Sequence, residues 1–256
     1  MEINKNLNLL AAEFVAAVVC NKYKNVEPAY SELTETGFRY AFRVKSGSIS
    51  VKDFKDIKDA MNEFCRNTHT VSYSTVSKAE ALKQFSKNKY KKHLIEQTKG
   101  DKVSLITIGN FTDVCHDLGI KGLPPIKFIE LVNVSGVYWL DNAKNEQLFA
   151  ISGWAASDQK EYKAIKADLL DREERDHRKI GAALELFTFD NLAGQGMPIW
   201  LPKGTIIRKQ IRNFLGELEF KYGFQNVSTP ILGSVDLYKQ SGHWDHYREN
   251  MFPVVE

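Results

Sequence analysis

The sequence predicts an α+β protein. Apolar residues recur at three- and four-residue steps near its start, which is typical of a helix, and strand-like stretches follow between residues 37 and 140. A polar segment at 158–180 then separates these elements from a second apolar helix. With 256 residues, 43% of them hydrophobic and 26% charged, the chain can bury a sizeable core as one large or two modest domains.

The first elements are predicted in chain order. The opening helix is amphipathic, with its apolar side formed by Ile3, Leu7, Leu10, Phe14 and Val18. After Pro28, GFRYAFRV at 37–44 predicts a strand, and a helix is expected from Val51 to Cys65. Alternating or β-branched residues separated by glycines and prolines predict further strands at 69–77, 102–108 and 126–140.

The pattern changes at 158–180, where a helix is polar almost all round. Asp168 with Arg172, and Glu174 with Arg178, are each placed one turn apart for ion pairing. Because a polar helix of this kind commonly crosses water between two packed bodies, a domain boundary is expected here. A long amphipathic helix follows and should end at Gly223. The closing FPVVE is expected to begin a buried strand, which would need a partner.

Composition excludes several classes of protein. The longest apolar run, FVAAVVC at 14–20, is far below the roughly 20 residues of a membrane span, and Glu13 argues against a signal peptide. No membrane association and a cytoplasmic location are therefore expected. Three widely spaced cysteines without a C-x-x-C pair argue against a disulfide scaffold and a structural zinc site.

The net charge of +3 is too small to identify a partner, but lysines are concentrated in one segment. Seven lie between residues 83 and 102, namely Lys83, Lys87, Lys89, Lys91, Lys92, Lys99 and Lys102. Such a patch could follow a phosphate backbone, because neutralising each phosphate releases counterions. A solvated lysine face is the alternative.

FTDVCHDLGI at 111–120 holds the densest group of reactive side chains: Asp113, Cys115, His116 and Asp117. A structural zinc site needs about four nitrogen or sulfur ligands, and only Cys115 and one histidine are local, so no metal is expected. As a nucleophile, Cys115 would need a nearby base or cation, with Lys91 a candidate. Otherwise Cys115 is a small buried apolar residue.

Two segments resemble the linker helix and the start of the catalytic domain in the threonyl-tRNA synthetase family. They are DREERDHRKIGAALELF at 171–187 and KYGFQNVSTPIL…YKQSGHWDHYRENMFPV at 221–254. Three more resemble its editing domain, which is of the threonyl/alanyl-tRNA synthetase type: 26–42, 100–115 and 132–148. The resemblance implies an editing-like domain at 1–156, a linker helix at 157–182, and the first part of a class II antiparallel-sheet catalytic domain at 183–256.

The resemblance also implies what the parent enzyme does. It would join threonine to its tRNA with ATP, and would need ATP, Mg and Zn at sites that this chain does not include. The tRNA acceptor end is the expected partner, and Gly223, Phe224 and Pro230 fall in motif 1, which implies a homodimer interface. The motif histidines His177, His243 and His246 are expected to pack and cap rather than to transfer protons.

The family's editing pocket uses two histidines one turn apart on the first helix and a Cys-x-x-x-His pair. These positions match Asn4, Asn8, Cys115 and Gly119 here. Because an amide takes up no proton near neutral pH, the pocket is expected to have lost its water-activating bases. His116 would face away from Cys115 in an extended segment.

Lys91 matches the family's pocket lysine, and Asp113 shares the face of Cys115. Both could meet a terminal adenosine or its phosphate, or could form a surface ion pair. The expectation is a degenerate pocket in the N-terminal part of a threonine–tRNA ligase. The alternatives are a tRNA-acceptor-binding or dimerisation module without catalysis, and a free-standing hydrolase that edits in trans.

Overall fold

The structure, a computed structural model, describes residues 4–67, 70–115, 118–194 and 196–254. It divides the chain into two compact units, residues 1–173 and 174–256. The division falls inside the segment predicted to be a linker helix, and the three predicted domain ranges stay a prediction. Helices and antiparallel sheets together confirm the predicted α+β class.

The first unit contains five helices among its described residues. Their bounds are α1 Lys5–Lys22, α2 Phe54–Asn67, α3 Lys78–Gln84, α4 Lys89–Gln97 and α5 Gln159–Glu174, whose last residue already belongs to the second unit. Short 3-10 turns precede α2 and flank a long strand at Ile129–Tyr138.

The strands of the first unit form two antiparallel sheets. Their bounds are β1 Val26–Thr34, β2 Gly37–Val44, β3 Val71–Ser77, β4 Lys102–Ile108, β5 Phe111–Val114, β6 Ile129–Tyr138 and β7 Gln147–Ala155. One sheet has the order β1-β2-β7-β6 and the other the order β3-β4-β5. Most of β2 and β7 pair residue by residue from Phe38 with Gly153 to Phe42 with Phe149.

Helix α1 is the centre of the core. Every residue from Leu10 to Val19 is buried, because the helix packs against strands of both sheets and against α2. The predicted helix is confirmed, but the predicted amphipathic pattern is wrong, since apolar residues surround it on all sides. Ile3, the first residue of the predicted apolar side, lies outside the described residues. Glu13 is the one acidic residue within this buried stretch.

Two of the predicted strands are confirmed, whereas the predicted polar helix is not a single element. The predicted strands at 37–44 and 102–108 match β2 and β4 at both ends. The polar helix at 158–180 is wrong as one element, because the Asp176 side chain caps a new helix, α6 His177–Ala183, by accepting a hydrogen bond from Arg178 N. The Arg172–Asp168 ion pair is present at 2.9 Å, whereas Arg178 pairs with Asp176 instead of Glu174.

The second unit combines a small hairpin with helices. Strands β8 Phe187–Phe189 and β9 Pro198–Trp200 pair antiparallel, and helices α7 Pro202–Lys221, α8 Val235–Gln240 and α9 His243–Tyr247 follow. Phe187 packs on Trp200 at 5.7 Å between ring centroids. The guanidinium of Arg208 also lies over the Trp200 ring, with Cζ 4.8 Å from the ring centroid. Beyond α7, Gly223 has the left-handed φ of +84° expected where a helix ends.

Apolar side chains on α7 remain exposed, among them Ile206 at 60% and Phe214 at 59%. The buried strand expected from FPVVE is wrong for its described residues, 252–254, which form no strand, and Phe252 is 97% exposed. Among the described residues of both units, none of the helices has the length and apolar character needed to cross a lipid bilayer.

Candidate functional site

Asn4 and Asn8, the two amides expected in the degenerate pocket, lie at the start of α1 and serve structural roles. Asn4 is the N-cap: its side chain accepts a hydrogen bond from Leu7 N at 3.0 Å. Asn8 is fully buried, and its side-chain amide bonds to both the backbone N–H and the backbone carbonyl of Ala155, at the end of β7. Its Oδ1 accepts from Ala155 N at 2.9 Å and its Nδ2 donates to Ala155 O at 3.3 Å.

A third amide of the same helix turn connects α1 to the segment after β5. Asn6 Nδ2 donates to the carbonyl oxygen of Leu118 at 3.0 Å. The fold therefore brings Gly119, the neighbour of Leu118, to the end of α1 that holds Asn4 and Asn8. Gly119 has a φ of +67°, and no atom lies within 4 Å of the position that a Cβ would take. A side chain there would have space but a strained backbone.

Lys91 and Asp113, the other two polar residues expected in the pocket, contact each other in the interior. Lys91 Nζ lies 2.5 Å from Asp113 Oδ1, and the residues are 1% and 0% exposed. They do not form the surface ion pair that the sequence left open. α4 positions Lys91 through Asn88, whose Oδ1 accepts hydrogen bonds from Tyr90 N and Lys91 N.

Tyr40 on β2 completes this contact. Its hydroxyl donates to Asp113 Oδ2 and accepts from Lys91 Nζ at 3.1 Å. Burial raises the pKa of Tyr40 well above its usual range, and the nearby Asp113 and Glu13 carboxyl groups raise it further. Tyr40 therefore stays a neutral phenol and can keep donating to Asp113.

Glu13 of α1 is the fourth member of this buried cluster, which we call the Glu13–Tyr40–Lys91–Asp113 cluster. Ser31 Oγ donates to Glu13 Oε1 at 2.6 Å, whereas Glu13 Oε2 is buried and has no hydrogen-bond partner among the described residues. Burial raises the pKa of Glu13 well above its usual range, and Asp113 raises it further against the opposing effect of Lys91. When protonated, the Glu13 carboxyl group can donate a hydrogen bond to Asp113.

Cys115, the expected remnant of the Cys-x-x-x-His pair, lies just after β5. Its backbone N–H donates to Ser104 O at 3.0 Å, and its partly buried side chain packs against the central core. Asp113 places its own side chain in the buried cluster two residues earlier. His116 and Asp117 lie outside the described residues.

This arrangement satisfies polar groups inside the protein and leaves them little capacity for chemistry. The Lys91 ammonium, the Asp113 carboxylate and the Asn8 amide all bond to other parts of the same unit. Within the described residues, no three His, Cys, Asp or Glu side chains are grouped so as to hold a metal ion.

Glu13 and Tyr40 were missed as site residues by the sequence analysis. One signal was available for Glu13: a single carboxylate in a helix that is otherwise apolar on all sides must be buried, and a buried carboxyl group needs a partner or a proton. No comparable signal marked Tyr40, which occupies an ordinary inward position of β2.

The motif 1 and histidine positions lie in the second unit. Phe224 is 69% exposed, and residues 223–230 form neither helix nor strand. His243 Nδ1 lies 2.9 Å from Ser241 Oγ, and its ring packs near Tyr247 at 5.9 Å between centroids. His177 lies at the start of α6 and is 84% exposed.

No protein-family model matches this chain, but curated relatives do. The threonine–tRNA ligase of Ureaplasma parvum serovar 3 (strain ATCC 27815) is 43% identical over 257 residues, which covers 100% of this chain and 44% of the relative. That of Staphylococcus aureus (strain JH9) is 40% identical over 246 residues, covering 96% of this chain and 38% of the relative. The chain thus spans less than half the length of these relatives. Its resemblance to the threonyl-tRNA synthetase family, which its sequence motifs indicated, is confirmed.

Proposed function

Because this chain is related over its whole length to the threonine–tRNA ligases, we propose that it forms the N-terminal portion of such an enzyme, with an editing-type domain that does not hydrolyse seryl-tRNA. The similarity to the Ureaplasma parvum relative over the full chain supports the first part. The second part rests on the side-chain amide of Asn8. Its Nδ2 donates to Ala155 O and its Oδ1 accepts from Ala155 N, so both groups already have partners in the protein.

An editing hydrolase must remove a proton from the attacking water, which requires a group that takes up protons near neutral pH. Asn4 and Asn8 cannot do so, because an amide is not a base. Lys91 and Asp113 are bound to each other and to Tyr40. None of these four side chains is therefore proposed to act on water or on the serine ester.

A deacylation assay with seryl-tRNA tests this proposal. The chain should release serine no faster than buffer does, and Cys115→Ala should not change the result. Cys65→Ala, which replaces another half-buried thiol, is the matched control. Rapid deacylation that disappears in Cys115→Ala and persists in Cys65→Ala would establish an active editing site and overturn the proposal.

The aminoacylation chemistry of the proposed parent enzyme, with its ATP, Mg and Zn, is assigned to residues beyond this chain. Support comes from the 44% share of the relative that the chain covers. The described residues offer no cluster of His, Cys, Asp or Glu side chains suited to a metal. We expect no threonine-dependent exchange of pyrophosphate into ATP from this chain alone, and measured exchange would contradict that assignment.

The homodimer interface through Gly223, Phe224 and Pro230 is also part of the proposal. The exposed ring of Phe224 and the exposed apolar side chains of α7 support it, because such groups are commonly covered in an assembly. Sedimentation of the chain tests it: Phe224→Asp should weaken self-association, and a chain that stays monomeric at every concentration would count against this interface.

A second candidate function is binding of the tRNA acceptor end without catalysis. Exposed lysines at Lys83, Lys87, Lys99 and Lys102 favour it, whereas Lys91 does not, because its charge is paired in the interior. If these lysines hold RNA, affinity should fall steeply with salt. Affinity for tRNA that is independent of salt would argue against this function.

A further inference from the structure

A cleft opens in the first unit at the end of α1 that is remote from Asn4. It has a volume of about 680 Å³ and lies where the last turns of α1 and α2 meet the β4–β5 turn. Ligand sites for small molecules commonly have volumes of roughly 300–1,000 Å³. Since α1 has 18 residues, the cleft lies on the order of 25 Å from the start of the helix, at about 1.5 Å per residue.

The β4–β5 turn forms one side of this cleft. Ile108 pairs directly with Phe111, so the turn consists of Gly109 and Asn110 alone. Gly109 has a φ of +59°, the conformation that the first position of a two-residue hairpin turn of type II′ requires. The tight turn holds Asn110 at the edge of the cleft, where its side chain is exposed.

Polar side chains line the cleft, and several of them have no polar partner among the described residues. Asn21, Lys24 and Asn110 form no side-chain hydrogen bond or ion pair within the part of the chain that the structure describes. Lys22 Nζ lies over the ring of Tyr23, 5.7 Å from its centroid. This differs from the other end of α1, where the amide of Asn8 is fully bonded.

Part of the cleft lining is apolar. It includes Ala17, Val18, Ala60, Phe64 and Phe111, and Phe64 is held by a ring contact with Phe14 at 6.1 Å between centroids. Cys20 also lines the cleft, but burial raises the pKa of its thiol to about 12. The thiol therefore stays protonated near neutral pH, which makes the cleft a place for reversible binding rather than for covalent attack.

We propose that this cleft binds a nucleotide, with its phosphate at Lys22 and Lys24 and its base over Phe64 and Phe111. Two lysines against the single carboxylate of Glu63 favour an anion. The amides of Asn21, Asn67 and Asn110 each offer a donor and an acceptor, which is the combination that the edge of a nucleobase presents. Aromatic side chains supply the surface on which bases stack.

The nucleotide can be free or can be the end of an RNA strand, and the experiment separates the two. Amide NMR spectra of the full chain are recorded during titration with AMP, adenosine, inorganic phosphate and a single-stranded RNA trinucleotide ending in adenosine. The proposal expects saturable shifts at residues 21–24, Asn67 and Asn110. Saturation by AMP assigns a free nucleotide, and saturation by RNA alone assigns an RNA end.

Two variants and a control identify the site. Lys22→Ala with Lys24→Ala should weaken AMP or RNA binding by about tenfold or more, because two charge-assisted contacts are lost. Lys144→Ala with Lys163→Ala removes the same charge from exposed lysines elsewhere in the first unit and should have little effect. Ala60→Phe fills the cleft without changing the charge and should abolish saturation, while an otherwise unchanged spectrum shows that the variant is folded.

Three outcomes would overturn the proposal. The first is no saturable shift with either AMP or RNA, and the second is saturation whose shifts map away from the cleft. The third is an equal loss of affinity in the two double-lysine variants, which would show non-specific attraction to charge. None of these readouts involves threonine or seryl-tRNA, so they are independent of the proposed function.

Discussion

Lys91 on α4 and Asp113 on β5 form a buried ion pair, with Nζ 2.5 Å from Oδ1 and both side chains no more than 2% exposed. The residues are 22 positions apart in sequence, and α4 contacts β5 only because β4 returns the chain beside it. Tyr40 bonds to both charges, so the pair connects α4, β5 and β2. These contacts give the pair a structural role in holding the two sheets of the first unit together.

Replacing Lys91 alone should be strongly destabilising. Lys91→Met leaves the Asp113 carboxylate buried without its counter-charge, which is expected to lower the free energy of unfolding by about 3–5 kcal/mol. The double variant Lys91→Met with Asp113→Leu should recover much of this loss, because no uncompensated charge remains. The quantity to measure is the free energy of opening reported by the slowest-exchanging amides of β2 and β4.

The half-exposed pair between Lys58 and Glu130 serves as the matched control. Its atoms are 3.0 Å apart and its side chains are 39% and 37% exposed, so Lys58→Met should change stability by only about 1 kcal/mol or less. If Lys91→Met were no more destabilising than Lys58→Met, the buried pair would have no structural importance.

Glu13 should make the stability of the first unit fall as pH rises. The pKa of Glu13 is raised in the folded state by burial and by Asp113, whereas the unfolded chain has an ordinary value of about 4.3. Below about pH 4.3 both states hold the proton and the stabilising contribution is complete. Above about pH 4.3 the unfolded chain releases its Glu13 proton while the folded chain still holds it. The stabilising contribution of Glu13 is therefore lost progressively as the pH rises towards the pKa of the folded state.

Glu13→Gln isolates this effect because the amide resembles the protonated carboxyl group but does not titrate. The difference in unfolding free energy between Glu13→Gln and the unchanged chain should shift in favour of the variant from pH 5 to pH 8, as urea denaturation can measure. Glu32→Gln, at a partly exposed ion pair with Arg39, is the control. A pH-independent difference for Glu13→Gln would mean that Glu13 is ionised in the folded state.

Asn8 should matter more for the packing of α1 than Asn4. Asn8→Ala removes the partner of two buried backbone groups of Ala155 and is expected to be destabilising by about 1–3 kcal/mol. Asn4→Ala removes an exposed N-cap, for which about 1 kcal/mol is typical. The specific readout is hydrogen exchange at the Ala155 amide, which should accelerate in Asn8→Ala and not in Asn4→Ala. Equal rates in both variants would rule out the Asn8 contact.

Local sequence patterns predicted both ends of two strands. β2 and β4 were predicted because aromatic residues recur in β2 and β-branched residues recur in β4, and turn signals border both segments. β1 was not predicted, because Pro28 lowers strand propensity; the structure tolerates it at the edge of the sheet, beside a shift in register between Pro28 and Tyr30.

The sequence suggested a contact between Lys91 and Asp113 but did not predict the buried cluster that contains them. Sequence identified Lys91 and Asp113 as a pair, yet their burial depends on Tyr40 and Glu13, which arrive from β2 and α1 through contacts distant in sequence. The cleft at the far end of α1 had no sequence signal, since its lining comes from three segments that only the fold brings together.

Two glycines of α7 should respond in opposite directions to the same substitution. A Cβ at Gly204 would overlap the carbonyl oxygen of Leu186 and lie 2.9 Å from Trp200 Cε3, so Gly204→Ala forces the helix away from the β8–β9 hairpin. Overpacking of this kind is typically destabilising by about 1–3 kcal/mol. No atom lies within 4 Å of the corresponding position at Gly216, where alanine should instead stabilise the helix by about 0.5–1 kcal/mol.

Hydrogen exchange of the α7 amides measures both effects in the same element. Gly204→Ala should accelerate exchange in the first turns of α7, and Gly216→Ala should slow it around the substitution. The two variants add the same methyl group to the same helix, so a difference in sign can come only from what surrounds each glycine. Slower exchange in Gly204→Ala would show that the close approach of Leu186 to α7 does not persist in solution.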